Sequence, residues 1–174
     1  MTDYAALLQA LLDAEIEFIV IGGLAAMAHG SPRFTQDVDV VYRRTPENIQ
    51  RLALALSAHD PYLRGAPPGL PFRWDAATIQ HGLNFTLTTS LGDIDLLGEV
   101  AGGGSFEALR DHAVRIPLFD LPCLYLDLPH LIVTKRAAGR PKDFEAIAEL
   151  QALLEEREMM KRDLLPDLLH EEET

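Results

Sequence analysis

The chain has 174 residues, which corresponds to one domain, and 15 basic against 27 acidic residues give it a net charge of −12. This acidity argues against a broad basic surface for nucleic acid, because phosphate contacts supply most non-specific affinity, but it leaves room for a small basic patch. Cys123 is the one cysteine, which excludes a disulfide framework and a cysteine-based zinc site. The apolar content of 48% predicts a folded globular protein.

The sequence contains no apolar run of the ~18 residues that a membrane span requires. Its acidic N-terminal region lacks the basic start of a secretory signal. We therefore expect a cytoplasmic protein without membrane contacts, and the sequence does not indicate its oligomeric state.

The first half of the chain predicts a strand–helix–strand unit followed by a further helix. The elements predicted from apolar periodicity and turn residues are helix 3–14, strand 17–21, helix 24–29, strand 37–41 and helix 46–58. Residues 60–82 are rich in proline and glycine, and we interpret them as an irregular excursion over the functional site.

The second half predicts more strands and then a helical end. Its predicted elements are strands 84–89 and 92–97, helix 105–112, extended runs 113–119 and 122–126, and helices 128–138 and 143–156. The whole order indicates an α+β (mixed α/β) fold, with a mixed sheet and helices on one side. We expect residues 1–126 to form the α/β core and residues 127–174 to form a helical C-terminal region packed on it.

Two acidic pairs carry the clearest chemical signal. Asp37 and Asp39 alternate on a predicted strand, so both carboxylates project from one face, and such a pair is costly to hold without a cation. Asp93 and Asp95 repeat the pattern on a later strand, where Asp95 lies among apolar residues and Asp93 lies near the turn. Asp95 is therefore the better partner for the first pair, although Asp93 is an alternative. A solvated edge strand would also accept acidic pairs.

Gly22 and Gly23 stand between a predicted buried strand and a helix. Backbone N–H groups at a helix start can hold phosphate oxygens, but two glycines taken alone are more typical of a simple strand-to-helix turn. Ser31 and Arg33 precede the first acidic pair and could reach phosphate, and Thr35 could bond near Asp37. Arg33 is also compatible with a plain surface position.

The ordered combination of Gly22-Gly23, a short helix, Arg33-x-Thr35-x-Asp37-x-Asp39 and a later strand with Asp95 resembles the nucleotidyltransferase superfamily. That superfamily includes DNA polymerase beta, the minimal nucleotidyltransferases and toxins of abortive-infection type. The C-terminal half resembles the helical part of those toxins and extends the likeness to about residues 5–155. The resemblance makes Lys135 and Asp143 candidates for the site, although Asp143 could simply cap its helix.

By this resemblance, Asp37, Asp39 and Asp95 would hold two Mg²⁺ ions, or Mn²⁺, and Lys135 would act beside them in catalysis. The reaction implied is transfer of a nucleoside monophosphate from a nucleoside triphosphate such as ATP to an acceptor hydroxyl. Acceptors in RNA, above all tRNA, or in protein are favoured, and the resemblance to toxins allows an antitoxin partner. The alternative is a non-catalytic domain that binds nucleotide or a partner protein.

Aromatic and imidazole side chains complete the candidates. Tyr42 and Trp74 could stack on a base, but aromatic residues more often belong to the core or anchor a loop. The six histidines show no metal-ligand spacing, and we interpret them as ordinary.

Overall fold

The computed structural model describes residues 1–168 of the chain, so residues 169–174 of the predicted C-terminal region lie outside the described residues. The strands are β1 (Phe18–Ile21), β2 (Asp37–Tyr42), β3 (Tyr62–Leu63), β4 (Asn84–Thr89), β5 (Gly92–Leu97), β6 (Glu99–Val100), β7 (Gly104–Ser105), β8 (Ala113–Ile116) and β9 (Cys123–Leu126). The helices are α1 (Tyr4–Asp13), α2 (Gly22–Ala28), α3 (Pro46–Ser57), α4 (Ala76–His81), α5 (Phe106–Leu109), α6 (Leu128–Ala138) and α7 (Asp143–Leu168).

Within the described residues, seven strands form one mixed sheet in the order β3-β4-β5-β2-β1-β9-β8, and β6 and β7 form a separate small ribbon. The pairs β2–β5 and β1–β9 are parallel, and the other pairs of the large sheet are antiparallel. The mixed α/β class predicted from the sequence is confirmed.

Helices cover both faces of the sheet, so the expectation of helices on one side is wrong. All four residues of β1 are buried, which requires cover on both faces of the central strand. One group of packed helices contains α1, α3 and α4, and another contains α2, α6 and α7. The continuous apolar sequence of β1 indicates this arrangement, because a strand with one solvated face would alternate apolar and polar residues.

Side-chain caps fix several helix starts where the sequence predicts them. The Asp3 carboxylate accepts a hydrogen bond from the Ala6 N–H at 2.9 Å, and Asp127 caps α6 in the same way. Thr45 accepts from Asn48 at the start of α3, with proline in the first turn. Gly139 ends α6 in the left-handed conformation, φ 64°, which returns the chain toward α7.

Three segments differ from their predicted form. Residues 60–82 contain the edge strand β3 and the helix α4, which packs against α3, so this segment is only partly irregular. The predicted helix 105–112 divides into α5 and a 3₁₀ turn, and a second 3₁₀ turn, Leu118–Asp120, interrupts the extended run after Pro117. The last helix continues to Leu168 rather than ending near residue 156. Across the described part of the chain, the helices are too short or too polar to cross a membrane.

Candidate active site

Strand register brings three carboxylates together at the centre of the sheet. Parallel pairing of β2 with β5 sets Asp37 opposite Asp93 and Asp39 opposite Asp95. Carboxylate oxygens of Asp37, Asp39 and Asp95 all lie within 4.8 Å of one another. The intervening side chains, Val38 and Ile94, are fully buried and hold the two strands in this register.

The turn after β1 is shaped to receive one of these carboxylates. Antiparallel pairing sets Ile21 opposite Asp39, so that Gly22 follows directly beside that carboxyl group. Gly22 has φ +64°, and a Cβ built there would lie 2.1 Å from Asp39 Oδ2. A Cβ on Gly23 would meet the Thr35 side chain at 2.6 Å. Both glycines therefore allow close approach, and they start α2 with N–H groups that have no partner inside the helix.

Burial and like charges make Asp39 the most perturbed acid of the cluster. Desolvation raises the pKa of Asp39 to about 7, and the neighbouring Asp37 and Asp95 carboxylates push it the same way. Lys135 and Arg140 act in the opposite direction. Desolvation also raises the pKa of Asp95. A divalent cation would stabilise these carboxylates, because ionising all three of them together is otherwise costly.

Residues 31–36 carry the other polar groups predicted beside the acids. The Thr35 hydroxyl donates to Asp37 Oδ1 at 3.0 Å, as predicted for a bond near Asp37. The Arg33 guanidinium donates to Glu149 at 2.8 Å and to Glu145 at 3.0 Å on α7, and these two partners raise its pKa. Arg33 therefore ties this segment to α7. Ser31 lines the same cavity as Thr35.

Basic side chains stand across the cavity from the acids, at the junction of α6 and α7. Lys135 Nζ lies 4.0 Å from Asp143 Oδ1, and the two side chains are only 13% and 6% exposed. Arg140 Nε donates to Asp143 Oδ2 at 2.7 Å. Burial lowers the pKa of Lys135, while the Asp143 carboxylate raises it. Asp143 thus pairs with two cations, and both of them interact electrostatically with Asp39.

All the predicted site residues line one cavity of about 430 Å³ between the sheet and the α6–α7 junction. The residues concerned are Gly22, Gly23, Ser31, Arg33, Thr35, Asp37, Asp39, Asp95, Lys135 and Asp143. Their grouping in one cavity does not test the individual roles assigned to them.

The aromatic candidates lie elsewhere. Tyr42 is fully buried, and its hydroxyl donates to the Leu83 carbonyl at 2.8 Å. Trp74 packs between Phe72 and Phe85. Phe34, which the sequence reasoning missed, lines the cavity and is 89% exposed. Its place between Arg33 and Thr35 in the motif was the available signal.

Arg64 was also missed as a site residue, because nothing in its local sequence connects it to the acids. Its guanidinium lies 3.2 Å from Asp37, 3.4 Å from Asp93 and 2.9 Å from Asp95. The contact with Asp95 is not aligned as a hydrogen bond, and Asp95 Oδ1 is a buried oxygen without a hydrogen-bond donor. Asp93 is therefore engaged by Arg64 but does not belong to the three-carboxylate cluster.

The fold also brings together His112, Asp127 and His130, which the sequence spacing did not reveal. His130 Nδ1 lies 2.7 Å from the Asp127 carboxylate, and the two imidazole rings stack with centroids 3.6 Å apart and 21° between their planes. Ring nitrogens bind metals in the plane of the ring. Nearly parallel stacked rings do not converge on one ion, so we assign no metal to this cluster.

The three-carboxylate cluster, by contrast, fits a divalent metal. It supplies hard oxygen ligands of the kind that Mg²⁺ and Mn²⁺ prefer, with one buried oxygen lacking a hydrogen bond and one carboxyl group whose pKa is raised to about 7. Because Gly22 has no Cβ, it leaves space beside it for the Asp39 carboxyl group.

Comparison with models of known protein families finds no match, and no curated protein matches the chain. Solved structures that are similar to this chain include the crystal structure of a "putative nucleotidyltransferase" from Thermotoga maritima. The similarity covers 98% of this chain and 96% of that chain, with 15% sequence identity and a TM-score of 0.49. At this level of similarity the likeness assigns neither a family nor an activity to the chain.

Proposed function

We propose that this protein is a metal-dependent nucleotidyltransferase that transfers a nucleoside monophosphate from a nucleoside triphosphate to an acceptor hydroxyl. The observation that carries the proposal is the cavity with carboxylates on one wall and cations on the other. A triphosphate needs both, because metal ions neutralise its bridging oxygens and basic side chains receive the remaining charge. An acidic cluster without the opposite cations would favour simple metal binding.

In this proposal each wall of the cavity has its own task. Asp37 and Asp39 would hold both Mg²⁺ ions, and Asp95 would add a ligand to the ion at the acceptor; the bound metal would neutralise charge on the transferring phosphoryl group. Lys135, with Arg140, would contact the triphosphate as point and forked charges respectively. Gly22 and Gly23 would donate backbone N–H groups to its terminal phosphates.

The chemical step is a substitution at the α-phosphorus. The acceptor oxygen forms a bond to that phosphorus, the bond from phosphorus to the bridging oxygen breaks, and pyrophosphate leaves. Asp95 would orient the acceptor hydroxyl and take its proton. Burial raises the pKa of this carboxyl group, which favours its acting as a base. Phe34 offers an exposed aromatic face beside the cavity on which a base such as adenine could stack.

The proposed acceptor is a hydroxyl of RNA or protein, in keeping with the resemblance to toxins, for which an antitoxin partner is also proposed. Arg140 and Lys142 are exposed at the cavity and form a small basic rim in an otherwise acidic chain. Such a rim suits a local contact with an RNA end more than a broad one.

A non-catalytic nucleotide- or partner-binding domain is the second candidate. The observation that favours it is the contact of Arg64 with three carboxylates, which stabilises the acids without any metal.

The deciding experiment incubates the protein with each α-³²P-labelled nucleoside triphosphate, Mg²⁺, total tRNA and a protein extract. Label should enter RNA or protein with the native chain and with Asp111→Asn, an exposed carboxylate away from the cavity. Asp39→Asn or addition of EDTA should abolish the transfer. Metal-dependent nucleotide binding without transfer would support the non-catalytic candidate. Transfer unaffected by Asp39→Asn would refute the assigned site.

A further inference from the structure

Arg64 contacts carboxylate oxygens that one of the two proposed metal ions would need as ligands. Its guanidinium contacts Asp37 Oδ2 and Asp95 Oδ1, at 3.2 and 2.9 Å. The Asp39 carboxylate is not among its ion-pair partners, and Asp37 Oδ1 faces the Thr35 hydroxyl instead. Arg64 is therefore placed between Asp37 and Asp95 and is not paired with Asp39.

The backbone of Arg64 is held by a hydrogen bond, while its side chain is partly exposed. The Arg64 N–H donates to the Thr86 carbonyl at 3.0 Å on the edge of the sheet. One guanidinium nitrogen also donates to the Leu87 carbonyl at 3.0 Å. The side chain is nevertheless 26% exposed, and its Nε has no hydrogen-bond acceptor. The arginine can therefore exchange its carboxylate partners by a rotamer change, without moving the strand.

We propose that Arg64 is a positioning residue that occupies the acceptor-side metal position, so that an ion shared by Asp37 and Asp95 binds only after Arg64 has moved away. This inference rests on the proposed function. An ion held by Asp39 and Asp37 does not compete with the arginine for the same oxygens. The two ions therefore bind unequally, the nucleotide-side ion first.

The positive charge of Arg64 is the reason for the exclusion. While the guanidinium group contacts Asp37 and Asp95, it offsets part of their negative charge and occupies the space between them. A divalent cation beside it would be strongly repelled, because like charges in close contact oppose each other strongly in a part-buried site. The acceptor-side ion therefore has to displace the arginine.

The test measures Mn²⁺ binding without nucleotide, by electron paramagnetic resonance of the free ion. Native protein is compared with Arg64→Ala and with Arg64→Ala/Asp93→Asn, which vacates the position while restoring the net charge. Arg73→Ala removes an exposed arginine from the same segment and is the matched control. Asp39→Asn reports on the nucleotide-side ion, and circular dichroism verifies that each variant is folded.

We expect one Mn²⁺ ion per chain in the native protein and in Arg73→Ala. Both Arg64 variants should bind a second ion, at least ~10-fold more tightly than the native protein does. If Arg64→Ala fails to fold, the double variant decides. Equal Mn²⁺ stoichiometry and affinity in the native protein and all arginine variants would overturn the inference. Tighter Mn²⁺ binding in Arg64→Ala but not in the double variant would also overturn it, because that change would reflect net charge alone. Mn²⁺ binding that is absent, or unchanged by Asp39→Asn, would instead refute the proposed function.

Discussion

Replacing Asp39 by asparagine should stabilise the metal-free protein while it removes the proposed activity. Burial raises the pKa of Asp39 from 3.8 to about 7, so ionised Asp39 opposes folding at neutral pH. The folded state binds this proton more tightly than the unfolded state. The stabilising effect of protonation is therefore complete below pH 3.8 and is lost as the pH rises through 7.

The size of the effect follows from the same values. A rise of the pKa from 3.8 to about 7 corresponds to a cost of about 4 kcal/mol when the carboxylate is fully ionised. Asparagine fills nearly the same space without charge, but it gives up the attraction of Lys135 and Arg140. We expect Asp39→Asn to raise the free energy of unfolding by about 2–4 kcal/mol at pH 8 and by nearly nothing at pH 4.

Urea unfolding in EDTA at several pH values measures this difference, since the midpoint and slope give the free energy of unfolding. Asp111→Asn, at an exposed position, serves as the control and should follow the native curve. A gain that is independent of pH, or a variant less stable than the native protein at pH 8, would refute the electrostatic reasoning.

The remaining predictions concern Gly22, Phe34 and the contact between Arg157 and His29. Gly22→Ala should cost about 1–2 kcal/mol of stability, because φ is +64° there, and should weaken Mn²⁺ binding by displacing Asp39; an unchanged Mn²⁺ titration would contradict the close approach. Phe34→Ala should raise the KM for nucleoside triphosphate about 10-fold with little change in kcat, and equal KM values would exclude base stacking. Arg157→Ala should lower the free energy of unfolding by about 1–2 kcal/mol, because it leaves Nδ1 of the buried His29 without its donor. Burial lowers the pKa of His29, so the native protein should lose stability as the pH falls below 6.5, and Arg157→Ala should lose less; parallel urea-unfolding curves against pH would contradict this.

Local patterns were enough to predict most elements of the sheet. Alternation and β-branched residues gave β2, and the turn around Ser90 gave the β4–β5 hairpin with the bounds that the structure shows. The pairing of β2 with β5 was harder, because a parallel neighbour leaves no mark in either strand. The sequence nevertheless pointed to Asp95 rather than Asp93 through the apolar residues on either side of it, and the register places Asp95 opposite Asp39.

The features that were missed depend on side chains far from their partners in sequence. Arg64 reaches the acids from an edge strand, and the proline- and glycine-rich segment around it gave no periodic signal. The contacts of Arg33 with α7 depend on how the C-terminal helix packs, which no spacing in the motif encodes. Asp127 caps α6 and also contacts the His130 ring, which stacks on His112. This is a tertiary arrangement, which no sequence motif indicates.

The parallel contact between β2 and β5 has a consequence for how the chain reaches its native state. β5 must insert between β2 and β4, and its contacts with β2 close a long loop that includes α3 and α4. Such long-range closure is slow, and here it also brings mutually repelling carboxylates together at the moment of docking. Refolding should therefore be slower at high pH and faster in the presence of divalent cations. The carboxylates that would serve catalysis would then also limit the folding rate.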